Sequence, residues 1–279
     1  MPRWIALFID AYDHFQKSDG WAIASHIALS TLTSLFPFLI FATALGSFFG
    51  SKELADQAAS ALLESWPQAV AQPLVTEIHK VLESSTGGLL TIGAVLALYF
   101  SSSGIEALRI GLNRAYDEEE NRSWWLLRLE SVGFVFIGAV ALLALALLVL
   151  MTPLVLAALE RWAPAFAPLW KALAPVRLGF VALALLAALF MLHKWLPACH
   201  RSLRQIWPGV AFTLASSGLF AFAFGFYLER FPSNYSATYA GLASVMIALL
   251  FLSTLASIFV YGGELNAALR RSQRDGRKD

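Results

Sequence analysis

Residues 231–263, FPSNYSATYAGLASVMIALLFLSTLASIFVYGG, run for 33 positions without Asp, Glu, Lys or Arg. A bilayer core about 30 Å thick is crossed by about 20 apolar helical residues, so this stretch alone is long enough to span one. Five further gaps in charge lie at 20–51, 84–105, 131–159, 178–193 and 205–228, of 32, 22, 29, 16 and 24 residues. The 16-residue gap spans if Arg177 and Lys194 extend their charged ends into the interfaces. The composition agrees: 58% of the 279 residues are hydrophobic and 14% charged, against about a quarter charged in soluble domains. The expected fold is therefore an all-α integral membrane protein with six transmembrane helices and amphipathic helices at both faces. It forms a single membrane domain over 1–279, with spans at 24–49, 89–110, 131–153, 177–196, 208–229 and 240–262.

Charge bounds the function. A formal +1 leaves no basic excess to hold nucleic acid, and the single cysteine, Cys199, excludes an internal disulfide and a multi-thiolate zinc site. The first apolar gap is too long for a signal-peptide core and reads as a retained span. With a cytoplasmic N-terminus, the segments on that side carry fourteen Lys and Arg and the outer segments six, which supports both termini inside.

Within this frame, 1–19 holds an amphipathic helix. Trp4, Leu7, Phe8, Ala11, Tyr12 and Phe15 recur at helical spacing, either on the inner membrane surface or packed on the cytoplasmic end of the bundle. Pro37 in the first span predicts a kink or break near Thr33–Pro37. Two short amphipathic helices are expected in the outer loop 51–88, and a Pro-rich outer loop containing Pro153, Pro164, Pro168 and Pro175 follows span three. Pro208 and Gly209 open span five in its first turn, where the proline N–H is not needed. Gly262 and Gly263 loosen the inner end of span six, and a basic tail, 268–279, follows.

The candidate polar path is built from Glu106, Arg109, Ser102, Asn113, Glu264, Asn266 and Tyr239. Glu106 and Arg109 share a helix face and could pair; ionisable groups at membrane depth are costly and so are functional candidates, although both could simply stabilise a helix end at the interface. Ser101, Ser102, Ser103 and Gly104 form a small polar patch suited to close helix approach or to lining a wet cavity. Glu264 and Asn266, just after the glycine pair, could bind a cation or headgroup, cap helices in the bundle, or pair with Arg109 or Arg114. Asn234, Tyr235, Ser236, Thr238 and Tyr239 bring hydroxyls and an amide to the outer end of span six. The five histidines are dispersed; His193 with Cys199 and His200 is the nearest approach to a metal set, and neither a metal nor another cofactor is expected. The acidic run Asp117–Glu120 reads as a solvated loop that would repel RNA, and there is no phosphate-binding glycine loop and no G-x-S-x-G elbow.

The ordered segments resemble the YihY/BrkB family of bacterial inner-membrane proteins, once labelled ribonuclease BN. The stretches that carry the likeness are STLTSLFPFL (30–39), GLLTIGAVLALYFSSSGIEALRIGLNRAYD (88–117), Arg122–Trp125, Trp207–Gly209, YSATYAGL (235–242) and GGELNAAL (262–269). Where relatives often carry glycine directly after the tyrosine, this chain has Ala240 before Gly241. The resemblance implies a six-span inner-membrane protein with cytoplasmic termini. The nuclease label fits the residues poorly, because phosphodiester hydrolysis needs metal-binding carboxylates or an acid–base pair beside a basic groove. The favoured reading is a non-enzymatic, transporter-like protein handling lipid or another amphipathic envelope solute; the association of some relatives with envelope lipids points the same way. The alternative is a scaffold whose outer loop docks an envelope protein. A membrane lipid is the expected partner, nucleic acid is not, and Gly46 with Gly50 leaves a homo-oligomer open.

Overall fold

The computed structural model describes residues 3–49, 87–162, 174–199, 201–230 and 243–275. Among these are seven helices and no strand: α1 (Arg3–Lys17), α2 (Gly20–Phe49), α3 (Gly87–Ala115), α4 (Trp124–Trp162), α5 (Ala174–Trp195), α6 (Leu203–Arg230) and α7 (Ala243–Asp275). The helices expected within 51–86, the prolines at 164 and 168, and the turn that carries Asn234 and Tyr239 lie outside the described residues. Five helices are long and apolar enough to cross a membrane, over Gly20–Ala42, Ile92–Ala115, Trp124–Leu145, Leu203–Leu228 and Val245–Gln273. The sixth apolar stretch, Gly179–Trp195 in α5, is shorter, as its 16-residue charge gap foreshadows. Large apolar side chains stay exposed along these helices, among them Leu219, Phe222 and Phe226 on α6 and Trp125 and Leu129 on α4. Such faces are tolerated where lipid rather than water covers them.

Two compact units divide the chain, one of residues 1–34, 103–131 and 186–279, the other of 35–102 and 132–185. In the second, Phe41 and Phe136 meet at 6.3 Å between ring centres, with Leu39, Val135 and Ala139 buried. Ser101 and Ser102 there donate to their own helix, at Ala97 O (2.5 Å) and Tyr99 O (2.6 Å), which disposes of hydroxyl donors at membrane depth. In the first unit, α1 and α6 both pack on α7. Ala11 of α1 is buried with Leu265 and Ala268 of α7, flanked by Leu7, Phe212 and Tyr261. Of the two readings of residues 4–15, packing on the bundle is what the structure shows, and it leaves Trp4, Ile9 and Tyr12 exposed on the other faces.

Three local devices set the helix ends. Asp19 has φ 56° and turns the chain from α1 into α2, with Ile23 N–H donating to Asp19 O at 3.0 Å. Asp117 has φ 52° and ends α3 in a Schellman turn: Glu118 N–H donates to Asn113 O (2.9 Å) and Asp117 N–H to Arg114 O (3.2 Å). Aspartate is among the few non-glycine residues that enter this left-handed region readily. At α6, Gln205 Oε1 accepts from the Ser202 N–H at 3.1 Å, the returning arm of a capping box.

Several expectations change. The capping box starts α6 at Leu203, so Pro208 stands inside the helix and not in its first turn. Helix α2 runs through Pro37 to Phe49 without a break, so of the kink or break expected there only a kink is compatible with the helix. Helix α4 continues through Pro153 to Trp162 and α5 begins at Ala174, which takes both Pro153 and Pro175 out of the expected loop. Gly262 and Gly263 do not loosen the last span, because α7 passes straight through them to Asp275. They are close-approach positions: a Cβ on Gly262 would strike Thr213 Oγ1 and the Gly209 carbonyl, and one on Gly263 would press on Ala115 and Leu112. Likewise a Cβ on Gly104 would meet Ser34 Oγ at 2.5 Å, which is the close helix approach read from the serine patch.

Candidate functional site

Polar side chains that the sequence scatters from His14 to Asn266 gather in the first unit in three linked groups. The first centres on Glu264, whose side chain is fully buried. His14 Nδ1 lies 2.6 Å from Glu264 Oε2, Ser18 donates to Oε1 at 3.1 Å, and His14 Nε2 lies 3.0 Å from Asp117 Oδ2. Glu264 thus pairs with neither Arg109 nor Arg114. Arg109 reaches α4, donating to Ser131 Oγ at 3.0 Å, and Arg114 is directed at Ser18 O and Asp19.

The second group is a directed chain. Gly209 N–H donates to Asn266 Oδ1 at 2.7 Å, which fixes the orientation of the amide and points Nδ2 at Tyr116 Oη, 3.2 Å away. The Tyr116 hydroxyl, accepting from Asn266, also lies 2.8 Å from His193 Nδ1. Over the ring of Tyr116 lies Arg201, 3.9 Å from the ring centre and 3.2 Å from Glu118 Oε1. Burial pushes the Tyr116 hydroxyl up to about 12 and lowers the Arg201 guanidinium from its usual value. Arg201 was not singled out by sequence reasoning, because a cation in a short loop ordinarily faces water.

The third group surrounds Arg122. Its guanidinium binds Glu120 (2.7 Å), Glu130 (3.0 Å) and Leu196 O (3.0 Å). The Arg122 hydrogen bonds hold the Glu120 carboxyl down to about 2, so it is ionised at any physiological pH. Asn113 joins the group by donating to Glu120 at 3.0 Å and accepting from the Ala198 N–H at 2.8 Å. Glu106 is 3.7 Å from Arg109, the expected pair, and closer to Arg128 at 2.6 Å.

The acidic run is therefore no free loop: Asp117 meets His14 and Arg271, Glu118 meets Arg201 and Arg270, and Glu120 meets Arg122. Of the sequence candidates, Glu106, Arg109, Asn113, Glu264 and Asn266 belong to this unit, Ser102 belongs to the other, and Tyr239 lies outside the described residues. Among the described residues no three His, Cys, Asp or Glu side chains could hold a metal ion.

Beside the Glu264 group a groove of about 360 Å³ opens between α1, α2, α6 and α7. Phe8, Tyr12, Phe15, Trp21, Phe212 and Tyr261 line it. Thr254 and Ser257 form part of its wall, but their hydroxyls donate to Leu250 O and Ser253 O of their own helix, so the surface they offer is largely apolar.

A family model described as virulence factor BrkB matches residues 11–279. The chain belongs to the BrkB family. A curated relative, the putative ribonuclease-like protein YfkH of Bacillus subtilis (strain 168), is 31% identical over 273 residues, 95% of each chain. No solved structure matches. In this BrkB chain the stretches that carry the family resemblance converge on the polar groups. GGELNAAL supplies Gly262, Glu264 and Asn266; the end of the 88–117 stretch supplies Asn113, Tyr116 and Asp117; and Trp207–Gly209 supplies the N–H that orients Asn266.

Proposed function

We propose that this BrkB-family membrane protein is transporter-like and handles an amphipathic envelope solute, a phospholipid being the simplest, in a bacterial inner membrane. The aromatic groove carries the reading. Its volume of about 360 Å³ falls in the range of about 300–1,000 Å³ usual for small-molecule sites. Its walls are apolar, and one turn along α7 from Tyr261 the buried polar groups begin at Glu264. An acyl chain fits the apolar groove, and the change from apolar to polar side chains at this end of α7 is the kind of boundary an amphiphile requires. The Lys and Arg count of fourteen against six supports cytoplasmic termini.

The reading is non-catalytic. The Bacillus relative bears a ribonuclease-like name, but the acidic side chains at 117, 118 and 120 are each engaged by a basic group here, an arrangement that favours structure over metal-assisted hydrolysis.

Transbilayer movement of a fluorescent phospholipid in proteoliposomes tests the proposal. Wild type should exceed empty vesicles, and Ser257→Trp, which fills the groove, should slow movement roughly ten-fold, a loss of about 1.4 kcal/mol. Leu219→Trp, on an exposed face of α6, should match wild type. Wild-type movement no faster than in empty vesicles would overturn the proposal and leave a scaffold role as the better account.

A further inference from the structure

His14 stands between two carboxylates of very different exposure. The Asp117 side chain is 66% exposed, His14 21% and Glu264 0%, so the three form a line from solvent to the buried end of α7. A carboxylate only accepts hydrogen bonds, and a neutral imidazole offers one N–H and one lone pair. If His14 is neutral and both acids are ionised, one of the contacts at 2.6 Å and 3.0 Å must set a lone pair against a carboxylate oxygen. One additional proton removes the conflict in either of two ways. The imidazolium donates to both acids, or Glu264 carries the proton and donates to Nδ1 while Nε2–H donates to Asp117. The two forms differ by the transfer of a single proton between Nδ1 and Oε2.

We propose that the His14–Glu264 pair is a proton-binding site, loaded from solvent through Asp117. In loading, a proton taken from water at the Asp117 carboxylate passes to Nε2 of His14, and the proton on Nδ1 passes to Oε2 of Glu264. The imidazole is left neutral with its proton on Nε2, and the net change is one proton moved from water to Glu264. Release runs the same steps backwards. Imidazole is suited to this task because its two nitrogens can take and give a proton on opposite sides.

The other polar and charged groups near the line are accounted for. Ser18 donates to Glu264 Oε1, leaving Oε2 to His14, and Arg114 donates to Ser18 O. From α7, Arg271 lies 3.9 Å from Asp117 and is shared with Asp10 of α1 at 3.0 Å, while the Tyr261 hydroxyl donates to Phe8 O. Glu118, next in the chain after Asp117, is taken by Arg201 and Arg270. Arg3, Asp13 and Lys17 complete the charged set on α1. None of these pairs supplies a second bridge between Asp117 and Glu264.

Time-resolved infrared spectroscopy after a pH jump, on the full chain in nanodiscs, tests the site. The C=O stretch of a protonated carboxylic acid should grow as pH falls and vanish in Glu264→Gln. Its rate of appearance should drop ten-fold or more in His14→Gln, which keeps a hydrogen-bond donor but cannot pass a proton. Asp117→Asn should slow loading too, and because Asp117 is the exposed member its substitution leaves the packed helices alone. The assignment is overturned if wild type shows no pH-dependent Glu264 band, or if Asp117→Asn loads as fast as wild type. No lipid movement enters this readout, so the site stands or falls separately from the transport proposal.

Discussion

Gly262→Ala is expected to lower the thermal midpoint of the detergent-solubilised protein by roughly 6–12 °C, the equivalent of about 3 kcal/mol. The added methyl group would collide with Thr213 Oγ1 and with the backbone carbonyl of Gly209. A carbonyl in a helix cannot rotate aside, so α6 and α7 must separate. Separation breaks more than van der Waals contact, because the hydrogen bond from Gly209 N–H to Asn266 Oδ1 crosses the same interface. Gly218→Ala is the matched control on α6: a Cβ there meets nothing within 4 Å. Alanine is the better helix former by about 1 kcal/mol, so this variant should hold or raise the midpoint. Midpoints measured at one scan rate and one detergent decide the matter; equal values for Gly262→Ala and Gly218→Ala would show that the helices do not approach closely at this point.

Asn266→Leu should cost about 1–3 kcal/mol, because Gly209 N–H and Tyr116 Oη each lose a buried partner while Tyr116 keeps its contact with His193. Asn266 is 2% exposed, so no water replaces it without opening the bundle. The Tyr116 hydroxyl would keep its hydrogen bond with His193 but lose the donor that orients it. The effects should therefore be non-additive: Tyr116→Phe is expected to be clearly destabilising alone and much less so on the Asn266→Leu background. Chemical-denaturation midpoints of the four proteins in the cycle measure the coupling. Full additivity would mean that the two side chains do not share a hydrogen bond.

Much of this fold was legible because membrane insertion imposes a one-dimensional signal. Charge gaps located five spanning helices and identified the sixth as short, and the 3.6-residue period found α1. What the period cannot reveal is pairing across the chain. Glu264 finds His14, 250 positions away, and Glu118 finds Arg201 and Arg270. Without those partners the acidic run reads as solvated, which its composition alone would justify. The glycine pair at 262–263 shows a second limit. Glycine lowers helix propensity and so suggests a loosened end, but the close approach of Gly209 and Thr213 outweighs that local preference. Pro208 was different, since the signal was present: Ser202 and Gln205 stand at capping-box spacing and announce a helix start before the proline. Among the site candidates, buried amides and acids were recognisable as unusual at membrane depth. The exposed-to-buried line through His14 was not, because His14 belongs to a helix whose other faces are amphipathic in the ordinary way.

If the protein handles an amphiphile as proposed, that molecule occupies the groove between α1, α2, α6 and α7. The most direct measurement is photo-crosslinking with a phospholipid that carries a photoreactive group in its acyl chain, followed by peptide mapping of the adducts. Adducts concentrated at Phe8, Trp21, Phe212 and Ile258, and suppressed by Ser257→Trp, are the predicted result. Adducts spread evenly over the exposed lipid-facing side chains, with Leu219 and Phe222 labelled as heavily as the groove, would contradict it.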